Sequence, residues 1–135
     1  MEQSGTVEGE KIVTTNEYYI GSNCKIFGAL KSTTDSLGQV TKYFRNEYNG
    51  RLLAIIEPDG KGLIYTYDDM GRLTMVQPAV LSGTNYSVMS DVSTDIEYVY
   101  NDKGQLGSIE ANGTTYTFTY DIFGNQTDVS IGENI

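Results

Sequence analysis

A nine-residue pattern recurs along this chain: aromatic-x-aromatic, an acid or amide, two variable residues, glycine, a polar residue and leucine. The clearest copy runs from Tyr65 to Leu73, further copies begin at Tyr98 and Phe118, and a weaker one begins at Phe44. Turn glycines return about every nine to twelve residues, apart from one longer gap between residues 71 and 104. Short segments bounded by turns at this spacing predict an all-β fold, an antiparallel meander of repeated β-hairpins.

The acid-x-x-Gly part of the pattern predicts how each hairpin reverses. An Asp that opens a type I turn can accept hydrogen bonds from the amides ahead of it, and a closing Gly takes positive φ at little cost. Such a three-residue loop suits the twist of paired strands. The turns at 35–38, 57–60 and 111–113 lie between the copies and are interpreted as a second kind. The predicted turn residues are Asp35, Gly38, Glu47, Gly50, Asp59, Gly60, Asp68, Gly71, Asn101, Gly104, Asn112, Gly113, Asp121 and Gly124.

The loop also predicts which residues oppose each other. The expected pairs in the clearest copy are Tyr67 with Leu73, Thr66 with Thr74, and Tyr65 with Met75. The Tyr, Leu and Met side chains would share one face, and the threonines the other. Turn-flanking pairs are expected as Asp68/Arg72 and Glu47/Arg51, with amides in Asn101/Gln105 and Asp121/Asn125. In the last copy Gln126 and Asp128 replace the apolar residues, so either the register slips by one or the final strand packs on a different surface.

Length and spacing set the predicted domain organisation. Residues 1–10 are expected to be a linker or disordered, and 11–135 a single repeat domain. Residues 77–95 fill the long gap and are interpreted as an insertion that extends a connecting loop. Two further strands are expected at 11–20 and 24–30. The repeat copies are placed at about 31–57, 58–78, 96–111 and 112–131.

Composition excludes several classes of function. With 18 acidic and 9 basic residues the net charge is −9, which disfavours nucleic acid and anionic membranes. The chain has no His and a single cysteine, Cys24, so His-based catalysis, a Cys/His zinc site and an internal disulfide are excluded. Asp68 and Asp69 would point to opposite faces, and the turn carboxylates are too dispersed for Ca²⁺. No catalytic residue, metal, cofactor or membrane insertion is therefore predicted.

The tyrosines allow two interpretations. They can form an aromatic core, which their predicted position opposite Leu favours, or a surface on which a glycan or protein partner stacks. The insertion at 77–95 is a second candidate for such contacts. The candidate binding residues are Tyr65, Tyr67, Tyr86, Tyr98 and Tyr100.

The run Tyr65-Thr-Tyr-Asp-Asp-Met-Gly-Arg-Leu73 resembles the YD repeat of RHS proteins, bacterial cell-wall-associated proteins and teneurins. The run Thr34 to Thr41 is similar to the family's intervening half-repeat, and the resemblance covers about residues 31 to 131. It implies a long β-strip that winds into a hollow shell in full-length members, where bacterial toxins enclose a C-terminal toxic domain. Other members serve adhesion or carbohydrate binding. The family's self-cleaving Asp-Pro motif is absent, since Pro58 and Pro78 follow Glu and Gln.

The sequence therefore predicts a non-catalytic structural segment of a large, secreted or cell-surface bacterial protein, acting as shell or spacer beside neighbouring repeats. The alternative is an adhesion module that binds carbohydrate or protein. An isolated strip leaves its edges unpaired and one apolar face uncovered. We expect either that the N-terminal strands fold across the aromatic face, or that two copies form a homodimer through edge strands or that face.

Overall fold

The computed structural model describes residues 2–7, 10–21, 25–89 and 94–133. These residues contain twelve β-strands and no α-helix, so the predicted all-β meander is confirmed. The strands are β1 (Glu2–Val7), β2 (Glu10–Tyr18), β3 (Leu30–Thr34), β4 (Val40–Arg45), β5 (Leu52–Ile56), β6 (Lys61–Tyr67), β7 (Leu73–Ser82), β8 (Asn85–Val88), β9 (Ile96–Tyr100), β10 (Leu106–Ala111), β11 (Thr114–Tyr120) and β12 (Gln126–Glu133).

Strands that follow one another in sequence are neighbours in the sheet, except that β8 pairs with β7 alone and β9 takes the next place. The N-terminal residues depart from expectation. Residues 2–7 form β1, which pairs with β2 from Glu2↔Thr15 to Val7↔Glu10, so the predicted linker at 1–10 is corrected. β1 and β2 hydrogen-bond in line beside β3, so they extend the sheet of the first unit.

Two other segments differ from the predicted loops and strands. Residues 77–82 continue β7 and residues 85–88 form β8, so much of the insertion is a hairpin of its own, reversed at Gly83 with φ 62°. The strand expected at 24–30 does not form over 25–28, where a turn brings the Ala29 amide to the Ile26 carbonyl at 3.1 Å. Cys24 lies outside the described residues.

The chain divides into two compact units. The first comprises Met1–Ile64 and Ala79–Ser87. On one face of its sheet, Lys42 pairs with Ile56, which pairs with Gly62, and Phe44 pairs with Ala54. The Tyr86 ring of the β7–β8 hairpin meets the Phe44 ring edge-on at 4.8 Å between centroids. This hairpin therefore covers the face and forms the core of the unit: Ala54 and Ala79 are 0% exposed, and Ile56 is 1% exposed.

The second unit comprises Tyr65–Pro78 and Val88–Ile135. One row of side chains crosses its strands, with Tyr98 opposite Ile109, Ile109 opposite Tyr116, and Tyr116 opposite Ile131. Exposure along this row increases towards β12, from half-buried Tyr98 to 67% at Ile131. Part of the aromatic face is therefore well packed and its C-terminal end is open.

Four of the described hairpins carry a β-bulge just after the loop, and in the β9–β10 and β11–β12 hairpins this bulge corrects the predicted register. Tyr100 faces Leu106 as the repeat pattern predicts, but the next pair is Val99 with Ser108, which leaves Gly107 as the extra residue. In the last copy Tyr120 faces Gln126 and Phe118 faces Val129, so the register slips by one, as the first of the two alternatives proposed. One extra residue shifts the alternation of side chains by one position, so that residues beyond the bulge change face. Val129 therefore lies on the aromatic face.

Met75 lies on the opposite face of the second unit's sheet from Tyr98. Met75 pairs with Glu97, while Val76 pairs with Ile96, which shares its side of β9 with Tyr98. Val76 is 8% exposed and Glu97 is exposed. The apolar residue that β7 contributes to the face of Tyr98 is therefore Val76 and not Met75.

Candidate functional site

The turns share one hydrogen-bonding scheme, centred on the acid or amide that opens each of them. In the turn at 68–72, Asp68 Oδ1 accepts the amides of Met70 at 3.0 Å and Arg72 at 2.9 Å. The Gly71 amide donates to the Asp68 carbonyl at 3.0 Å, and the Asp68 amide donates to the Arg72 carbonyl at 2.9 Å. The turns opened by Asn101 and Asp121 repeat all four bonds. A short polar side chain at this position thus accepts hydrogen bonds from backbone amides that would otherwise have no partner in the turn.

Two of the three turns that were interpreted as a second kind, those at 35–38 and 57–60, form the backbone hydrogen bonds of the turn at 68–72. Asp35 Oδ1 accepts the amides of Leu37 and Gln39, both at 2.9 Å, as Asp68 does. At 57–60 the Gly60 amide donates to the Glu57 carbonyl and the Glu57 amide donates to the Lys61 carbonyl. The side chain that accepts an amide is here Asp59, which bonds to the Lys61 amide at 3.0 Å. The turn at Asn112 differs, because Asn112 and Gly113 both take positive φ, at 52° and 76°. That combination is typical of a two-residue type I′ hairpin.

The weakest copy is offset by one residue from its predicted alignment. Asn46, and not Glu47, opens this turn: its side chain accepts the Tyr48 amide at 2.8 Å, and its carbonyl accepts the Gly50 amide at 2.9 Å. The loop is one residue longer, which the pattern could not reveal because Asn and Glu both fit the acid-or-amide position. The expected Glu47/Arg51 pairing is accordingly replaced by this Asn46-centred turn.

The second aromatic of the pattern ties each hairpin to the one before it. The Tyr100 hydroxyl donates to the Leu73 carbonyl at 2.7 Å, and the Tyr120 hydroxyl donates to the Leu106 carbonyl at 2.6 Å. Leu73 and Leu106 are the leucines that end the preceding copies of the pattern. Sequence reasoning missed this bond, although the signal was present: the position is Tyr in all three strong copies, whereas the first aromatic is Tyr or Phe.

Arg72 reinforces the same junction. Its Nε donates to Asp68 Oδ2 at 2.8 Å, and its guanidinium lies over the Tyr100 ring at 4.5 Å from the centroid. A Cβ added to Gly104 would stand 3.4 Å from Arg72 Nη1, and one added to Gly124 would stand 3.4 Å from Gln105 Nε2. The residue after each turn glycine therefore packs against the glycine of the next turn, which aligns consecutive turns.

The five candidate tyrosines do not form one site. Tyr98 and Tyr100 lie on the same face of β9, half-buried. Burial raises the pKa of the Tyr65 hydroxyl, with its neighbour Tyr67 adding to the effect. Tyr86 belongs to the first unit, where it packs on Phe44. Of the five, Tyr86 is engaged in side-chain packing and Tyr100 in inter-hairpin bonding.

The described part of the chain has no cluster of three or more His, Cys, Asp or Glu side chains arranged to hold a metal ion. Over the same residues, no helix is long and apolar enough to cross a membrane.

Removing the Tyr100 hydroxyl tests the inter-hairpin bond. We expect Tyr100→Phe to lower the free energy of unfolding by about 1 kcal/mol, since a half-buried carbonyl loses its partner while the ring remains under Arg72. Urea denaturation followed by circular dichroism would measure the change. Tyr98→Phe is the matched control, because the Tyr98 hydroxyl bonds to none of the described residues; equal effects of the two changes would contradict the assigned role.

The turn carboxylates predict loss of stability in acid. The backbone amide of Arg72, helped by its side chain, lowers the pKa of Asp68, and the Asn125 amide does the same for Asp121. A carboxyl whose folded pKa is below its unfolded value stabilises the fold fully above the unfolded pKa, about 3.9, and loses that effect as pH falls through the folded pKa. Urea denaturation at pH 6 and pH 3 should show this decline, and Asp121→Asn should reduce it. Asp102→Asn controls for the loss of one charge, and an undiminished decline in Asp121→Asn would contradict the prediction.

A family model described as RHS Repeat matches residues 46–79 and 100–131. These two segments are RHS repeats. Each contains turns of the scheme above, and the hairpin formed by the end of β7 and β8 lies largely in the gap between them. No curated protein matches the chain.

Solved structures show the same fold. The chain superposes on the crystal structure of TcdB2-TccC3-Cdc42 with a TM-score of 0.70 at 18% identity, over 98% of this chain. The crystal structure of TcdB2-TccC3-TEV gives a TM-score of 0.54 at 18% identity over 91%. This chain spans only 8% and 9% of the chains it matches there.

Proposed function

We propose that this RHS-repeat chain is a non-catalytic structural segment of a larger protein, in which it forms part of the wall of a β-shell. The observation that carries the proposal is the bond from the second tyrosine of one copy to the last leucine of the copy before it, made by both Tyr100 and Tyr120. A contact made only between neighbours can be repeated without limit, so a strip of any length can grow by adding copies.

The open end of the second unit supports the same proposal. All eight residues of β12 are exposed, including Val129 at 41% and Ile131 at 67%. An edge strand with apolar side chains and unpaired backbone groups is a place where a further strand adds to a sheet. The small share of the matched structures that this chain spans agrees with a partial strip.

The other parts of the proposed function follow from the resemblance to RHS proteins. The parent protein would be secreted or located at the cell surface, and the immediate partners would be neighbouring repeats. The alternative, a Tyr-based adhesion surface, has less support because Tyr86 and Tyr100 are engaged by Phe44 and Arg72.

Appending a further repeat tests the proposal. A second copy of residues 96–113 would be fused after position 133, with a flexible Gly/Ser tail of equal length as the control. We expect the repeat, and not the tail, to raise the free energy of unfolding and to slow hydrogen exchange of the β12 amides, since a new strand would bond to them. Exchange at β12 that is equal in the two fusions would overturn the proposal.

A further inference from the structure

The first unit contains a cleft of about 730 Å³ between the turns at 35–39 and 57–60. Val40, Lys42 and Ile56 line it from the sheet, and Leu81 lines it from β7. The Leu81 amide donates to the Gly60 carbonyl at 2.7 Å, which fixes this wall against the turn. Leu81 lies outside both RHS-repeat segments, so the insertion supplies one wall of a cleft that the repeats do not form by themselves.

Lys42 is notable in this cleft because its charge has no partner among the described residues. It is half-buried and stands in the sheet between Ser32 and Ile56, which are 7% and 1% exposed. Among the described residues its ammonium makes no ion pair or hydrogen bond. Glu17, which pairs across from Ser32, instead accepts the Ser32 hydroxyl at 3.2 Å. A half-buried ammonium without a partner among the described residues is suited to bind an anionic group of a ligand, despite the negative net charge of the chain.

The rim of the cleft has the opposite charge. Glu57 and Asp59 are exposed and line the same cleft from the turn that follows β5. Asp59 Oδ1 accepts the Lys61 amide, which leaves Oδ2 available, and the Glu57 carboxylate has no partner among the described residues. Pro58 and Leu81 line the same cleft with apolar surface. The cleft therefore has a cation inside, an apolar wall, and two carboxylates at its mouth.

We propose that this cleft binds a small aliphatic compound that carries both a carboxylate and an amino group, the chemistry of an amino acid or short peptide. Its carboxylate meets the Lys42 ammonium, its amino group meets Glu57 and Asp59, and its side chain lies on Pro58 and Leu81. The volume suits such a ligand, since small-molecule sites measure about 300–1,000 Å³. A phosphate-rich ligand fits less well because the two rim carboxylates would repel it. This binding function is additional to the structural role proposed above and does not depend on it.

The dipeptide Ala-Leu is a suitable probe, because it has both charged ends and aliphatic side chains. Titrating it into the isotope-labelled chain should shift the backbone amide NMR signals of residues 38–42, 56, 57, 59, 60 and 81. Ala-Leu amide, which lacks the carboxylate, and N-acetyl-Ala-Leu, which lacks the amino group, should each bind at least about tenfold more weakly, since each loses a charge-assisted contact. No shifts at millimolar Ala-Leu, or equal binding of all three compounds, would overturn the proposal.

Two variants test which charged residue of the cleft binds which end of the dipeptide. Lys42→Met keeps the aliphatic stem, and it should weaken Ala-Leu binding about tenfold while leaving the weaker binding of Ala-Leu amide unchanged. Glu57→Gln should weaken Ala-Leu but not N-acetyl-Ala-Leu. Lys103→Met, an exposed lysine of the second unit, is the control and should bind Ala-Leu as the wild type does. Wild-type affinity in a folded Lys42→Met would refute the site; should that variant not fold, the comparison of the three compounds on the wild type decides.

Discussion

Gly62→Ala should destabilise the chain strongly, because among the glycines whose surroundings the structure describes only Gly62 has backbone atoms within 3 Å of an added Cβ. An ideal Cβ at Gly62 would overlap the carbonyl oxygen of Ile55, and it would lie 2.8 Å from the Ile55 carbonyl carbon and 2.9 Å from Ile56 Cα. These atoms belong to the backbone of β5, which pairs with β6 at this point, so they cannot move aside without breaking the ladder. We expect a loss of about 3 kcal/mol, the upper end of the usual cost of overpacking.

Urea denaturation followed by circular dichroism would measure this loss, and Gly132→Ala provides the matched control. Gly132 also lies within a strand, β12, but an added Cβ there meets no atom within 4 Å. Its replacement should change the free energy of unfolding by no more than about 0.5 kcal/mol. A Gly62→Ala protein as stable as the Gly132→Ala protein would show that β5 and β6 are not packed as closely as described.

Ile56→Ala should have the second large effect. Ile56 is the largest fully buried side chain among the residues whose burial is described, 1% exposed, and it lies on the face that the β7–β8 hairpin covers. Truncation removes buried methyl groups and leaves a cavity, which costs about 2–5 kcal/mol for an isoleucine. Because Ala54 and Ala79, also fully buried, are already minimal in size, neighbouring side chains can do little to fill the space.

The adjacent Ile55 is the control for this substitution. It occupies the same strand and loses the same atoms on replacement by alanine, but it is only half-buried and points to the opposite face. Ile55→Ala should therefore cost less than half as much as Ile56→Ala in urea denaturation. Equal losses would mean that the hairpin does not seal the face that carries Ile56.

The turns could be predicted from sequence because their chemistry is local. Asp68 and Gly71 lie three residues apart, and the hydrogen bonds between them depend on a few backbone dihedrals that Asp and Gly favour. The same logic predicted Asp35 and Asp121. It failed by one residue at Asn46 because local preference alone does not separate Asn from Glu in a loop one residue longer. It also missed the bulge at Gly107, since that extra residue is fixed by pairing with the neighbouring strand.

The candidate site was less accessible to sequence reasoning. The importance of the tyrosines was recognised, but not that Tyr100 bonds to a carbonyl 27 positions away. Gly62 was not singled out from the sequence, although a glycine within a strand often marks a close approach of another backbone, as that of Ile55 does here. Lys42 is one of 9 basic residues, and only its position between Ser32 and Ile56, beside Leu81 of the insertion, makes it notable.

The sequence by itself determined where the chain reverses, that its segments are strands, and that the pattern is a repeat, because these properties depend on residues a few positions apart. Only the tertiary structure decided which face each residue occupies beyond a bulge, that residues 79–87 cover the first unit, and that Lys42 lines a cleft. Those outcomes depend on contacts between residues distant in sequence. A pattern of neighbouring residues does not indicate how strongly such contacts stabilise the fold.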